Sequence, residues 1–283
     1  MKWKVTILIN NYTSGGKLRA EHGYSLALEG RAEQGEERSI LFDTGQSWDI
    51  LSWNAELLGL DIAAVDTIVL SHGHYDHTGA LREVLERVSD RTVLYAHPET
   101  FFTKYNENRD NKIISSPVSR EELGASKVRL VEETGAQEIA PRLWTTGQIA
   151  RGHAIEEEAH RWMGVERDGR HVHDELPDDQ SLIIRGEKGG FYLICGCCHS
   201  GLINTLEHAV RMTGERKVLG IIGGLHTIGA SEERLQHTVA GLRSFDPGFI
   251  APLHCAGVKE TAVLYRELGE KVRFLSVGDS LEM

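Results

Sequence analysis

Apolar and polar positions alternate in two rhythms along this chain. In the first third, "KWKVTILIN", "YSLALEG" and "RSILFDTG" are rich in β-branched and aliphatic residues and bounded by Gly, Asn and Asp, which predicts strands. "VDTIVL" is a short, nearly continuous apolar run, as expected of a strand buried on both faces. It leads directly into Ser71 and His72. Beyond His77 the period changes. Leu81, Val84, Leu85 and Val88 recur at i, i+3, i+4 and i+7, one stripe of a helix packed on a sheet. "RTVLYAH" then predicts a further strand.

Residues 98–145 are less regular, with "NENRDN" and "SSPVSREEL" read as loops and "RLWTTGQI" as a strand. Residues 156–178 are so polar that a lid or insertion loop is expected there. The rhythm resumes with "QSLIIRG" and "FYLICG" as a hairpin. Helices are predicted over "LINTLEHAV", "EERLQHTVAGLRSF" and "KETAVLYRELGE", and strands over "KVLGIIGGLH", "FIAPLHC" and "VRFLSVGDSLEM". Strands followed by strand–helix pairs in each half predict two similar α/β layers. With no linker between them, residues 1–283 are expected to form a single domain.

Charge and composition narrow the function. The formal net charge is −11 and no Lys/Arg-rich run interrupts it, so a nucleic-acid partner is not expected. No run approaches the roughly 18–20 apolar residues that a membrane span needs, and the N-terminal apolar run is too short for a signal peptide. The four cysteines are Cys195, Cys197, Cys198 and Cys255. Three crowded into four positions do not resemble a secreted disulfide framework, so a reducing cytoplasm is expected.

The densest chemistry lies in "LSHGHYDHTGAL". His72 and His74 are spaced to grip one ion from an extended segment, and Asp76 and His77, at the start of a helix, can face a second. Imidazoles with a carboxylate suit Zn²⁺, or Mn²⁺ and Fe²⁺ with more oxygen donors. Two such ions could hold a nucleophile between them. Further ligands are sought where other apolar strands end, as open α/β sheets place their ligands there. His199 and His254 are the favoured ligands, while His226 stays open as ligand, acid or substrate contact. Asp43, closing "LFDTG", could accept the second ring N–H of a ligating histidine.

These motifs resemble the metallo-β-lactamase superfamily. "SHGHYDHTGAL" is similar to its H-x-H-x-D-H signature, with a strand before and a helix after, and "LFDTG" to the Asp-bearing strand end preceding it. "AEHGYSL", "DDQSLII", "GCCHSGLIN", "GGLH" and "HCAG" are similar to the subgroup named for a dihydropterin-linked ribofuranosyl-aminobenzene phosphate synthase. The resemblance implies an α/β fold of αββα sandwich type, with two mixed sheets flanked by helices. It also implies two divalent metal ions, with a single ion as the alternative, zinc first and manganese or iron as alternatives, held by His72, His74, Asp76, His77, His199 and His254. The implied substrate is small and anionic, and Asp76 and His226 are the implied catalytic groups. His22 and Gln180 are candidates to touch substrate or support the ligands, and His22 or His226 could supply a proton or contact phosphate.

One departure stands out. Where most members carry Gly-Asp after the strand "FYLIC", the chain has Gly196-Cys197 and no carboxylate. Asp179, a water, a thiolate from Cys197 or Cys198, or nothing, could stand in for the bridge. The missing carboxylate keeps open a non-catalytic metal-stabilised sensor. An iron-dependent redox enzyme is the third reading, against which position 74 is His where diiron members carry Glu.

Overall fold

The computed structural model describes residues 1–31 and 37–283, apart from the Ala159 side chain. By internal contacts it divides into two compact units. The first comprises residues 1–134, 162–178 and 276–283. The second comprises 135–161 and 179–275.

The first unit is built on a seven-stranded mixed sheet. Ser280–Glu282, Lys2–Ile9, Ser25–Arg31 and Glu37–Phe42 pair antiparallel in that order. Thr67–Val69, Val93–Ala96 and Arg129–Glu132 extend it in parallel. The apolar stripe after His77 is helical over Leu81–Arg87, and Leu81, Val84 and Leu85 pack with Ile68, Leu70 and Leu94 in one core. Burial of this kind stabilises by about 1.5–3 kcal/mol per large aliphatic side chain.

Several elements went unread in the sequence, three of them in or beside the first unit's large sheet. Trp48–Leu57 is a helix that buries only Leu51, Asn54 and Ala55, so its apolar stripe is thin. Arg120–Gly124, inside the supposed loop "SSPVSREEL", is a short helix that Ser119 and Glu122 start with a reciprocal capping box. Arg129–Glu132 is an edge strand with no buried position.

Residues 156–178, expected as a lid or insertion loop, carry regular structure. Glu156 falls in a short 3₁₀ helix, Ala154–His160, in the second unit. Met163–Arg167 and Arg170–His173 form a hairpin in the first unit, which joins Lys104–Asn106 and Lys112–Ile113 in a four-stranded sheet. The Arg170–His173 strand is exposed at every position, so its polarity reflects a solvated edge.

The second unit is a six-stranded sheet. Ile250–Pro252, Val218–Gly223 and Phe191–Cys195 run parallel, followed by Ser181–Arg185, Leu143–Thr145 and Gln137–Ala140 antiparallel. Its helices are Leu202–Thr213, Glu232–Phe245 and Val258–Leu268. Leu202, Ile203 and Leu206 pack with Leu235, Val239 and Leu242 over the apolar face of the sheet. The closing segment "VRFLSVGDSLEM" is less regular than its alternation suggested. Only Ser280–Glu282 is a strand, with single bridges at Val272 and Val277.

The Leu202 helix begins at Gly201, which has no side chain to cap it. Glu156 does so from the 3₁₀ segment, accepting the Ile203 N–H at 3.0 Å and the Asn204 N–H at 2.8 Å while almost fully buried. Burial pushes its carboxyl above the ordinary range, against the two amides that draw it down. Glu156→Ala removes this cap and is expected to destabilise the protein by about 1–2 kcal/mol. A shift below about 0.5 kcal/mol in urea unfolding would contradict that assignment.

Candidate metal centre

In the first unit the donors gather where two parallel strands end. Glu37–Phe42 runs into Asp43 and Thr67–Val69 into Ser71, side by side. Asp43 turns the chain with a left-handed φ of 59°, a conformation that non-glycine residues adopt at a cost of order 1–3 kcal/mol. Its fully buried carboxylate is satisfied three ways. Oδ1 accepts the Ser71 N–H at 2.7 Å, and Oδ2 accepts the Ser71 hydroxyl at 2.6 Å and His77 Nδ1 at 2.6 Å.

This network assigns two tautomers. With its proton given to Asp43, Ser71 Oγ is an acceptor for His72 Nδ1–H at 2.9 Å. Both His72 and His77 therefore carry a proton on Nδ1 and present a lone pair at Nε2, the arrangement that orients a ligating imidazole. His72 Nε2 lies 2.9 Å from His74 Nδ1. Two nitrogens on one zinc-sized ion, with bonds of about 2.0–2.1 Å, sit about 3.3 Å apart, so this pair fits one cation. Burial, then the neighbouring His77 and His74, holds His72 well below the ordinary imidazole range. It is thus neutral at pH 7, as a ligand must be.

Asp76 Oδ2 is 3.1 Å from His22 Nε2, whose ring is half exposed, so the sequence candidate His22 does reach the signature segment. Gly73, between the two histidines, is pressed against backbone. A Cβ there would lie 1.9 Å from the Thr100 carbonyl oxygen, so only glycine allows this path.

Sequence reasoning missed what lies beneath that loop. The Gly73 N–H donates to Asp178 Oδ2 at 2.8 Å. Asp178 Oδ1 and Asp174 Oδ2 accept from Lys104 Nζ at 3.0 and 2.8 Å, and all three side chains are fully buried. Lys104 in "FFTKYN" and the aspartates of "HDELPDD" lie about seventy residues apart, and no local pattern pairs them.

In the second unit the three parallel strands that end in histidines are neighbours in the sheet, so those ends share one edge. Left-handed residues turn the chain there: Cys198 at φ 63°, His226 at 45° and His254 at 48°. Strain repeated at adjacent strand ends is the kind retained at functional sites. His199 and His254 are buried, and the His199 and His226 rings stand 4.2 Å apart. Cys197 Sγ lies within 4.8 Å of a donor atom on each of His199, His226, His254 and Cys255. Cys255 was not singled out from the sequence.

Asp179, a candidate for the missing bridge, is fully buried and accepts the Ser200 N–H at 2.9 Å, which fixes the turn carrying His199. Its Oδ1 has no hydrogen-bond partner among the described residues. Burial raises its pKa against the Ser200 and His199 amides that lower it. Gln180 is buried beside it. Cys198 forms part of the apolar core with Cys195, and contact with Cys195, then burial, pushes its thiol well up. For Cys255 burial acts upward, but Cys197, His226 and His254 outweigh it and hold the thiol well below its ordinary value.

Comparison with known proteins gives the frame for these donors. A family model described as the metallo-beta-lactamase superfamily matches residues 31–197. The chain is 29% identical over 268 residues to a 7,8-dihydropterin-6-methyl-4-(beta-D-ribofuranosyl)-aminobenzene-5'-phosphate synthase of Methanocaldococcus jannaschii, covering 92% of this chain and 89% of that protein. An uncharacterized protein of the same organism is 33% identical over 255 residues, covering 90% and 91%. Among solved structures, Tm1679, described as a metal-dependent hydrolase of the beta-lactamase superfamily, aligns with TM-score 0.82 and 25% identity over 99% of both chains. Among the described residues no helix is long and apolar enough to cross a membrane.

Proposed function

Because the chain belongs to the metallo-beta-lactamase superfamily, we propose that it is a metal-dependent enzyme acting on a small anionic, phosphorylated substrate by hydrolysis or group transfer. The observation that carries this is the Asp43–Ser71 network, which holds His72 and His77 in ligand tautomers. The proposed metal ligands in the first unit are His72, His74, Asp76 and His77. In the second unit they are His199 and His254, with Cys197 or Asp179 as candidates for the missing bridge. The metals proposed are two divalent ions, zinc with manganese or iron as alternatives.

Bound metal supplies Lewis acidity toward phosphate or carboxylate oxygens and an acidified water. It also lets an anion approach a protein of net charge −11. The residues do the rest. Asp43 keeps the His77 proton on Nδ1, and Ser71 does the same for His72. Asp76 holds His22 at 3.1 Å, a half-exposed imidazole placed to contact phosphate or to move a proton. His226 is the second candidate for that role. Its Nδ1 has no hydrogen-bond partner among the described residues. Gln180 is proposed as support for the ligands.

The name of the Methanocaldococcus relative, a synthase, favours transfer, for which the substrates proposed are an aminobenzene-ribose phosphate and a pterin diphosphate. The description of Tm1679 favours hydrolysis. Four buried cysteines without a disulfide fit a reducing compartment, and the proposed location is the cytoplasm.

Metal-loaded protein assayed on phosphomonoester, phosphodiester, diphosphate and thioester panels, and on the two synthase substrates, tests the reading. Turnover of at least one that falls at least 100-fold in His74→Ala is expected. No turnover of any by fully metallated protein would favour a metal-stabilised sensor.

A further inference from the structure

The second unit contains a group of soft donors that the reading above does not use as a set. Cys197 Sγ, Cys255 Sγ and a ring nitrogen of His226 all lie within 4.8 Å of one another. We propose that these three residues form a thiolate site for a borderline-soft divalent cation of the zinc type.

Three features of the backbone build this site. The two cysteines come from different strand ends, after Phe191–Cys195 and after Ile250–Pro252, and the strand Val218–Gly223 runs between them. They meet because residue 224 has no side chain. A Cβ on Gly224 would stand 2.7 Å from Cys255 Sγ and 3.1 Å from Cys197 Cα, while its N–H bonds the Gly196 carbonyl at 2.9 Å. The His226 N–H donates to Cys255 Sγ at 3.3 Å, an amide–sulfur bond that favours a sulfur carrying negative charge. The Cys255 thiol donates to the Cys197 carbonyl at 3.4 Å, and the two sulfurs lie within 4.8 Å of each other.

The third donor is in place as well. His226 is held at φ 45°, with its carbonyl accepting from Arg234 Nη1 at 2.7 Å. Its Nδ1 is buried and has no hydrogen-bond partner among the described residues. Sulfur and nitrogen ligands at about 2.3 and 2.0–2.1 Å from a tetrahedral ion stand about 3.4–3.8 Å apart. A contraction of about 1 Å closes the set on a cation and leaves a fourth position for water or another ligand. Each thiol gives its proton to solvent on loading, so binding releases protons. Two thiolates and an imidazole select zinc-type ions over magnesium or calcium.

Cobalt(II) titration of the whole protein under reductant reads the site without any assay of activity. Wild type is expected to show an intense thiolate-to-cobalt charge-transfer absorption. The same band should persist in His72→Ala/His74→Ala, which removes donors of the other set, and fall at least fivefold in Cys255→Ser and in Cys197→Ser. Cobalt bound to wild type without that band overturns the proposal. So does a band lost in Cys197→Ser but intact in Cys255→Ser, because a single thiolate in the imidazole set would then explain it. Cobalt-edge X-ray absorption of wild type needs no variant: a sulfur shell of two at about 2.3 Å supports the site, and nitrogen and oxygen alone contradict it.

Discussion

Lys104→Ala is expected to cost about 3–5 kcal/mol of folding stability, among the largest losses available to a single substitution in this protein. Lys104 is fully buried and its ammonium is held by Asp174 and Asp178 at 2.8 and 3.0 Å. Truncation leaves two buried carboxylates facing each other without a cation. It also frees Asp178, whose other oxygen accepts the Gly73 N–H, so the loop bearing His72 and His74 loses its support. Urea unfolding followed by tryptophan fluorescence measures this. A loss below about 1 kcal/mol would show that the triad contributes little.

The pH dependence of that loss has a definite sign. Burial alone would lower the Lys104 pKa, but the two aspartates outweigh it and hold it above the ordinary 10.5. A group raised on folding contributes fully below its unfolded pKa and loses that contribution as pH rises through the folded value. The wild-type advantage over Lys104→Ala should therefore be constant through neutral and mildly alkaline pH, and shrink only above about 10.5. An advantage that fades between pH 7 and 9 would contradict the assignment.

Asp43→Asn is expected to weaken divalent metal binding by about 10–100-fold while leaving the fold in place. The carboxylate accepts three donors, and an amide can accept with only one of its two atoms. Turned so that its oxygen meets Ser71, the amide presents N–H to His77 Nδ1. That ring must then place its proton on Nε2, the nitrogen assigned to the metal. Competition with a chromophoric chelator gives the affinity. Unchanged affinity would mean that His77 is not a ligand, or that Asp43 does not set its tautomer.

The legible parts of this protein were those where one short segment carries its whole signal. The stripe Leu81, Val84, Leu85 gave a helix, and "EERLQHTVAGLRSF" became Glu232–Phe245 without displacement, because burial follows the 3.6-residue period in both. His72, His74 and Asp76 were visible because their spacing is local, and Asp43 because it closes a strand. The rest depends on partners distant in sequence. Glu156 caps a helix that starts at residue 202, and Lys104 reads as an ordinary surface lysine until Asp174 and Asp178 fold against it. Cys255 was hidden for the same reason, since only the bare backbone at Gly224 brings it to Cys197. The Trp48–Leu57 helix escaped notice because it buries few apolar side chains.

The proposal on which the rest depends is that His72, in the tautomer set by Ser71 and Asp43, and His74 beside it hold a divalent metal. Metal-to-protein ratio by elemental analysis, after zinc loading and exhaustive dialysis, tests it most directly when wild type is compared with His72→Ala/His74→Ala. Folded wild type is expected to retain at least about one equivalent of zinc, and the double variant at least about one fewer. Wild type that retains no metal, or a double variant that retains as much as wild type, would contradict it.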